Sequence, residues 1–177
     1  MLELKLTGPA ALLPGTDSVY QMPEAWMPGL WLQTILYNHS DRVQRVGFAR
    51  SSVCAAMAEH LRATLSGELE IFSPDARAGG SLESVYQPGA DIKLAGLGDA
   101  VHEEITAQRI FFAPLADIAA GEAIAGALLQ HLHTLGGKAV AWLTADNPPP
   151  VDGATAPNTV RFYRPVHMAS VPDELRF

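Results

Sequence analysis

The sequence predicts a single domain of the α+β class, with a mixed β-sheet and two main helices. The chain has 177 residues, and a domain of this size buries roughly two thirds of the surface of its unfolded chain. Two segments carry apolar residues at helical spacing, and several short runs rich in β-branched and aromatic residues surround them. Because each helix lies between two such runs, we expect two β-α-β units on one mixed sheet.

The two helices are the clearest elements of the pattern. The first is predicted from about Ser51 to Ser66, with Gly67 as its stop signal. Its apolar stripe, spaced by four residues, consists of Val53, Met57, Leu61 and Leu65. The second is predicted from about Ala119 to Leu135, where Gly136 and Gly137 end it. Its stripe consists of Ile124, Leu128, Leu132 and Leu135.

The strands are predicted from β-branched and aromatic content. They are Leu2–Leu6, Trp31–Tyr37, Val43–Ala49, Glu68–Phe72, Arg109–Phe112, Ala139–Leu143 and Thr159–Tyr163. Glycine and proline punctuate Ser73–Gly98, which is therefore predicted as loops or a hairpin. A second loop, stiffened by three consecutive prolines, is predicted at Asn147–Pro157.

Ionic residues are few, and acidic ones outnumber basic ones. The chain carries 12 Lys and Arg against 19 Asp and Glu, a net charge of -7. Because the basic residues are scattered singly, we expect no nucleic acid and no anionic membrane as a partner. Charged residues make up 18% of the chain, below the roughly 25% of an average soluble domain. We therefore expect part of the surface to be covered by a second subunit, in a homo-oligomer.

The amino end and the cysteine content predict a cytoplasmic protein. Met1–Leu6 alternates apolar and polar residues and lacks the basic end and apolar stretch of a secretory signal. No run of about 18 apolar residues is present to span a membrane. With Cys54 as its one cysteine, the chain has no internal disulfide, which fits a reducing compartment.

The stretch around the second helix has the order strand, small-residue loop, helix. This order can direct backbone N–H groups and the positive end of a helix dipole at an anionic ligand. Gly121 and Ala123 would allow close approach of that ligand. The segments in question are Ile118-Ala-Ala-Gly121-Glu-Ala123, Ala125–Gly136, Ala139-Val-Ala-Trp-Leu-Thr144 and Phe162-Tyr163-Arg-Pro-Val-His167-Met168.

In these segments, over roughly residues 100 to 170, the chain resembles the GNAT superfamily of acetyl-CoA-dependent N-acetyltransferases. The resemblance implies a three-layer α+β fold, acetyl-CoA as cofactor and an amine as acyl acceptor. It places the cofactor on Ala120, Gly121, Ala123 and Ile124. It further implies that Tyr163 protonates the departing thiolate, while Glu103 or Glu104 deprotonates the amine.

The chain also departs from the family pattern, and each proposed residue has a plainer interpretation. Ile118 stands where the family has Gln or Arg, and Asp117 and Glu122 add negative charge where a pyrophosphate would sit. Tyr163 can instead be a half-buried aromatic of a strand. The two glutamates can form a solvated face before the central strand.

The other reactive side chains predict no metal and no nucleophile. His131 and His133 are two residues apart on a helix, so they point about 200° apart and cannot share one ion. Cys54 lies at the edge of the first apolar stripe, and His60 faces elsewhere on that helix. We predict Cys54 to be a buried small hydrophobe. The Gly-x-Ser-x-Gly, phosphate-loop and dinucleotide-binding motifs are absent from the sequence.

An aromatic segment, Tyr20–Trp31, supports a second hypothesis. It contains two Trp, two Met, a Tyr and two Pro, and Trp, Tyr and Met are enriched at protein interfaces. The rival hypothesis is a non-enzymatic interaction or assembly module, such as a phage-related, immunity or accessory protein. It would engage itself or a protein partner through Trp26 and Trp31. The same residues can equally close one end of the core, and a small-ligand-binding domain is a third possibility.

Overall fold

The computed structural model describes residues 1–79, 81, 83–89, 97–135 and 156–177. These residues form an α+β fold, as predicted. The strands are β1 (Leu2–Lys5), β2 (Thr7–Ala11), β3 (Gly29–Tyr37), β4 (Ser40–Ala49), β5 (Ile71–Phe72), β6 (Ser84–Tyr86), β7 (Arg109–Pro114), β8 (Thr159–Tyr163) and β9 (Glu174–Arg176). The helices are α1 (Val53–Leu65), α2 (Pro74–Gly79), α3 (Leu97–Ala107) and α4 (Ile118–Leu135), with 3-10 turns at Val19–Gln21 and Pro23–Trp26.

Both predicted helices are confirmed, and local capping explains where they begin. The Ser52 hydroxyl accepts a hydrogen bond from the Ala55 N–H at 3.0 Å, at the start of α1. The Asp117 carboxylate accepts one from the Ala120 N–H at 3.0 Å, at the start of α4. These side chains satisfy amides that have no partner within the first helical turn.

A central sheet has the strand order β2-β7-β3-β4, and its neighbouring strands are antiparallel. A second sheet, here called the terminal sheet, has the order β1-β8-β9; β1 pairs parallel with β8, and β9 pairs antiparallel with it. The terminal sheet is therefore mixed. Strands β5 and β6 form a separate antiparallel pair.

The sheet arrangement departs from the predicted β-α-β units. Strands β4 and β5, which flank α1, belong to different sheets, so the first unit does not cross over within one sheet. The reason is that β4 pairs with β3 along its whole length as a long hairpin. The strand predicted to complete the second unit, Ala139–Leu143, lies outside the described residues, as do the stop signal at Gly136 and Gly137 and most of the proline loop.

The central sheet is covered on both faces. Helix α4 and the terminal sheet pack on one face and form the first core with it. Helices α1 and α3 and the segment before β3 pack on the other face and form the second core. Strand β7 shows the alternation directly, since Phe111 lies in the first core and Phe112 in the second, and neither side chain is exposed. Two buried faces explain why β7 is apolar at successive positions.

Several elements were not predicted. Strand β2 contains Gly8-Pro9, and these residues signal a turn more often than a strand. The interval predicted as loops or a hairpin contains α2 and β6, and β6 pairs antiparallel with β5. Helix α3 begins at Leu97 and continues through Glu103 and Glu104. The glutamates therefore lie on a helix that precedes β7.

Candidate functional site

The start of α4, where the resemblance places the cofactor, already has its amides paired. The Ala120 N–H donates to the Asp117 carboxylate, and the Gly121 N–H donates to the Asp117 carbonyl at 2.9 Å. On the next residue, Glu122 forms an ion pair with Arg50 at 2.5 Å. The carboxylates of Asp117 and Glu122 thus lie where the resemblance expects the phosphates of the cofactor.

The small residues of α4 are packing residues. A Cβ atom built on Gly121 would lie 2.2 Å from a ring carbon of Phe48, so the glycine lets β4 approach the helix closely. Ala123 is 7% exposed, and Ile124 is fully buried in the first core. Gly121 was predicted to allow close approach of a ligand, but the group that lies against it is the Phe48 ring.

Glu104 lies on the other face of the central sheet. It is buried, and its carboxylate accepts a hydrogen bond from the side-chain amide of Gln108 at 3.1 Å. The Gln108 side-chain oxygen, Oε1, lies 3.2 Å from His60 Nε2, and His60 Nδ1 lies 3.3 Å from an Arg45 nitrogen. These polar groups connect α3, α1 and β4. The interpretation of Glu104 as part of a solvated face is therefore wrong, whereas Glu103 is exposed.

Tyr163 lies on the terminal sheet, where its side chain is 45% exposed. Its hydroxyl donates a hydrogen bond to the Glu3 carboxylate at 3.1 Å. Ile124 lies in the core on one face of the central sheet, whereas Glu104 belongs to α3, which packs on the other face. The structure therefore does not gather the proposed acid, base and cofactor-binding residues into one cleft.

The aromatic segment separates into an exposed part and a packed part. Trp26 is 62% exposed and Met27 is 47% exposed. The Trp31 ring lies over Gly47 of β4, where a Cβ atom would come within 2.6 Å of it, and packs against the second core. Trp26 is thus available to a partner, and Trp31 closes the core.

A third exposed apolar side chain lies at the same end of the central sheet. The Met27 carbonyl accepts a hydrogen bond from the Val53 N–H, and the Pro28 carbonyl accepts one from the Leu115 N–H. These bonds bring the aromatic segment to the starts of α1 and α4, where Ile118 is 42% exposed. We call the neighbouring exposed residues Trp26 and Met27 the Trp26 patch.

A buried ionic cluster in the central sheet was not predicted. The Asp41 carboxylate, 2% exposed, pairs with the Arg109 guanidinium at 2.7 Å and accepts a hydrogen bond from the Thr34 hydroxyl at 2.5 Å. The three residues come from β4, β7 and β3. Arg109 is a charge in a predicted strand, but Asp41 precedes the predicted strand Val43–Ala49, and strand order is needed to pair the two residues.

Cys54 lies in the core beside Val19. Cys54 is buried, its thiol lies 3.5 Å from the Val19 carbonyl oxygen, and burial raises the pKa of the thiol. Its predicted role as a small hydrophobe is confirmed.

Within the described ranges, no group of three or more His, Cys, Asp and Glu side chains is arranged to hold a metal ion.

Comparison of this chain with models of protein families, with curated proteins and with solved structures finds no match. Of the helices in the described part of the chain, none is both long and apolar enough to cross a membrane.

Proposed function

We propose that this protein is a non-enzymatic interaction module that binds a protein partner through the Trp26 patch. The observation that carries the proposal is the 62% exposure of Trp26 beside the exposed Met27. Both are large apolar side chains that lose unfavourable contact with water when a partner covers them. Tryptophan is also the residue type most often found at the energetic centre of interfaces.

The Trp26 side chain is held in place before any partner binds. Its indole N–H donates to the Tyr20 carbonyl at 3.1 Å, and the 3-10 turn Pro23–Trp26 fixes its backbone. A side chain that is ordered in advance loses less conformational entropy on binding.

A second copy of this chain is the partner that the composition favours. Charged residues are 18% of the chain, and a symmetric dimer would place Trp26 of each copy at the same interface. The proposed homo-oligomer would act in the cytoplasm, which fits a single, buried cysteine.

Sedimentation velocity over a range of protein concentrations tests this proposal. We expect concentration-dependent self-association of the wild type, weakened at least tenfold in Trp26→Ser/Met27→Ser. Leu65→Ser is the matched control, because Leu65 is an apolar side chain of similar exposure, 63%, at the other end of α1. A wild type that stays monomeric throughout, or equal weakening by Leu65→Ser, would contradict the proposed dimer.

The acyl-CoA-dependent N-acyltransferase, acting on an unknown amine, is the second candidate. Its support is the strand-loop-helix order, which β7 and α4 adopt. A ligand at 100 times its dissociation constant stabilises the folded state by about 2.7 kcal/mol. A saturable rise in melting temperature with acetyl-CoA, together with acyl transfer that Tyr163→Phe slows, would favour this enzyme over the interaction module.

A further inference from the structure

The five methionines of the chain differ in their exposure to solvent. Met57 and Met168 are buried in the second and first cores, and Met22 packs partly buried against the second core. Met27, in the Trp26 patch, is 47% exposed, and Met1 is 73% exposed. Because oxidation of a thioether requires contact with the oxidant, a soluble peroxide reaches Met27 and Met1 well before the core methionines.

The backbone of Met27 is held independently of its sulfur. Its N–H donates to the Glu24 carbonyl at 3.2 Å, at the end of the 3-10 turn, and its carbonyl accepts a hydrogen bond from the Val53 N–H at 3.1 Å. These bonds join Met27 to the turn and to the start of α1. A change confined to the exposed thioether therefore alters the surface of the patch and leaves the fold in place.

The thiol of Cys54 does not compete for the oxidant. Cys54 is buried, its thiol lies 3.5 Å from the Val19 carbonyl oxygen, and burial raises the pKa of the thiol. Peroxides react with the thiolate, and the raised pKa keeps that form scarce while burial keeps it out of reach. Met27 and Met1 are therefore the sulfur-containing residues most open to oxidation.

We propose that Met27 is a modification site at which a peroxide switches off the Trp26 patch, an inference that rests on the proposed self-association. The thioether sulfur bonds to one oxygen of hydrogen peroxide as the O–O bond breaks, and the other oxygen leaves as water. The sulfur is oxidised by two electrons to the sulfoxide, and the peroxide is reduced. A partner would then have to bury a polar sulfoxide in place of an apolar thioether, which weakens binding.

Oxidation and self-association compete for the same side chain. A dimer that covers Met27 shields it from peroxide, whereas an oxidised protomer binds its partner more weakly. The rate of Met27 oxidation should therefore fall as the protein concentration rises. Because methionine sulfoxide is reduced enzymatically, the change is reversible.

The test begins with the self-association of the untreated full chain, measured by sedimentation velocity. The chain is then treated with hydrogen peroxide, and the oxidised fraction of each methionine is followed by mass spectrometry of its peptides. We expect Met27 to be oxidised roughly tenfold faster than Met57 and Met168, and severalfold more slowly once the protein is concentrated enough to associate. After removal of the peroxide, the dissociation constant should be raised roughly tenfold, and reduction by the two methionine sulfoxide reductases, one for each epimer, should restore it.

Met27→Leu is the matched variant, because leucine keeps an apolar side chain of similar size but has no sulfur. Met1 is still oxidised in this variant, so peroxide should leave its dissociation constant, whatever its value, unchanged. Three results would overturn the switch while the proposed function stands: Met27 oxidised no faster than Met57, an oxidised wild type that associates as before, or equal weakening of Met27→Leu and the wild type by peroxide. An untreated wild type that stays monomeric would instead contradict the proposed function, and the switch with it.

Discussion

Asp41 brings a carboxylate into the buried part of the central sheet, and Arg109 makes this possible. Replacing Arg109 with Leu leaves the carboxylate buried without its cation, and loss of one partner of a buried pair is strongly destabilising. Because Arg109 is itself 30% exposed, we expect the free energy of unfolding to fall by about 3 kcal/mol in urea denaturation.

Two further variants separate the burial of charge from general loss of packing. Asp41→Leu in the Arg109→Leu background removes the isolated charge, so part of the lost stability should return. Arg161→Leu, which breaks a more exposed pair with Glu174, should cost less than about 1 kcal/mol. Equal losses in Arg109→Leu and Arg161→Leu would show that burial does not set the strength of the Asp41 pair.

Glu68 gives a prediction about pH at the end of α1. Hydrogen bonds from Arg62 and then Ser66 lower the pKa of this carboxyl to about 2. Since the folded pKa lies below the unfolded value of about 4.3, the contribution to stability is complete above pH 4.3 and is lost as the pH falls towards 2. Side-chain NMR titration should show this low pKa, and Arg62→Gln should raise it towards the unfolded value, because the largest cause of the shift is removed.

At the scale of elements, the contact between α4 and β4 depends on Gly121. An added methyl group would meet the Phe48 ring, so the ring or the helix must move. We expect Gly121→Ala to lower the free energy of unfolding by about 1–2 kcal/mol, even after the gain of about 1 kcal/mol that alanine brings to a helix.

Gly98 is the matched control for this substitution, since it also lies in a helix but no described residue comes within 4 Å of an added Cβ atom. Gly98→Ala should therefore raise stability by about 0.5 kcal/mol. Phe48→Leu should relieve much of the loss in Gly121→Ala. A Gly121→Ala protein as stable as the wild type would mean that the helix and strand separate at little cost.

The sequence predicted α1 and α4 to within two residues, because apolar periodicity and flanking stop signals act locally. It did not predict β2 or β9. Strand β2 contains Gly8-Pro9, and β9 has only three residues, Glu174–Arg176. Such strands depend on their neighbours in the sheet, and the neighbour of β2, which is β7, is distant in sequence.

At the scale of the whole molecule, the sequence does not indicate on which face of the central sheet a residue lies. Glu104 and Gly121 are only 17 positions apart by number, yet β7 passes between them and the sheet separates them. Trp26 and Trp31 had the same predicted role, but only the residue outside the regular strand remained exposed. Residue type indicates chemistry, whereas the path of the chain decides which groups meet.

The pairing of β1 with β8 has a consequence for how the chain folds. Glu3 and Tyr163 are in contact, although they are 160 residues apart in the chain. At a synthesis rate of about 5–20 residues per second, β8 is synthesised on the order of ten seconds after β1. Contacts of such long range form late and slowly. Until they form, the edge of β1 is open to other chains, so refolding yield should fall as protein concentration rises.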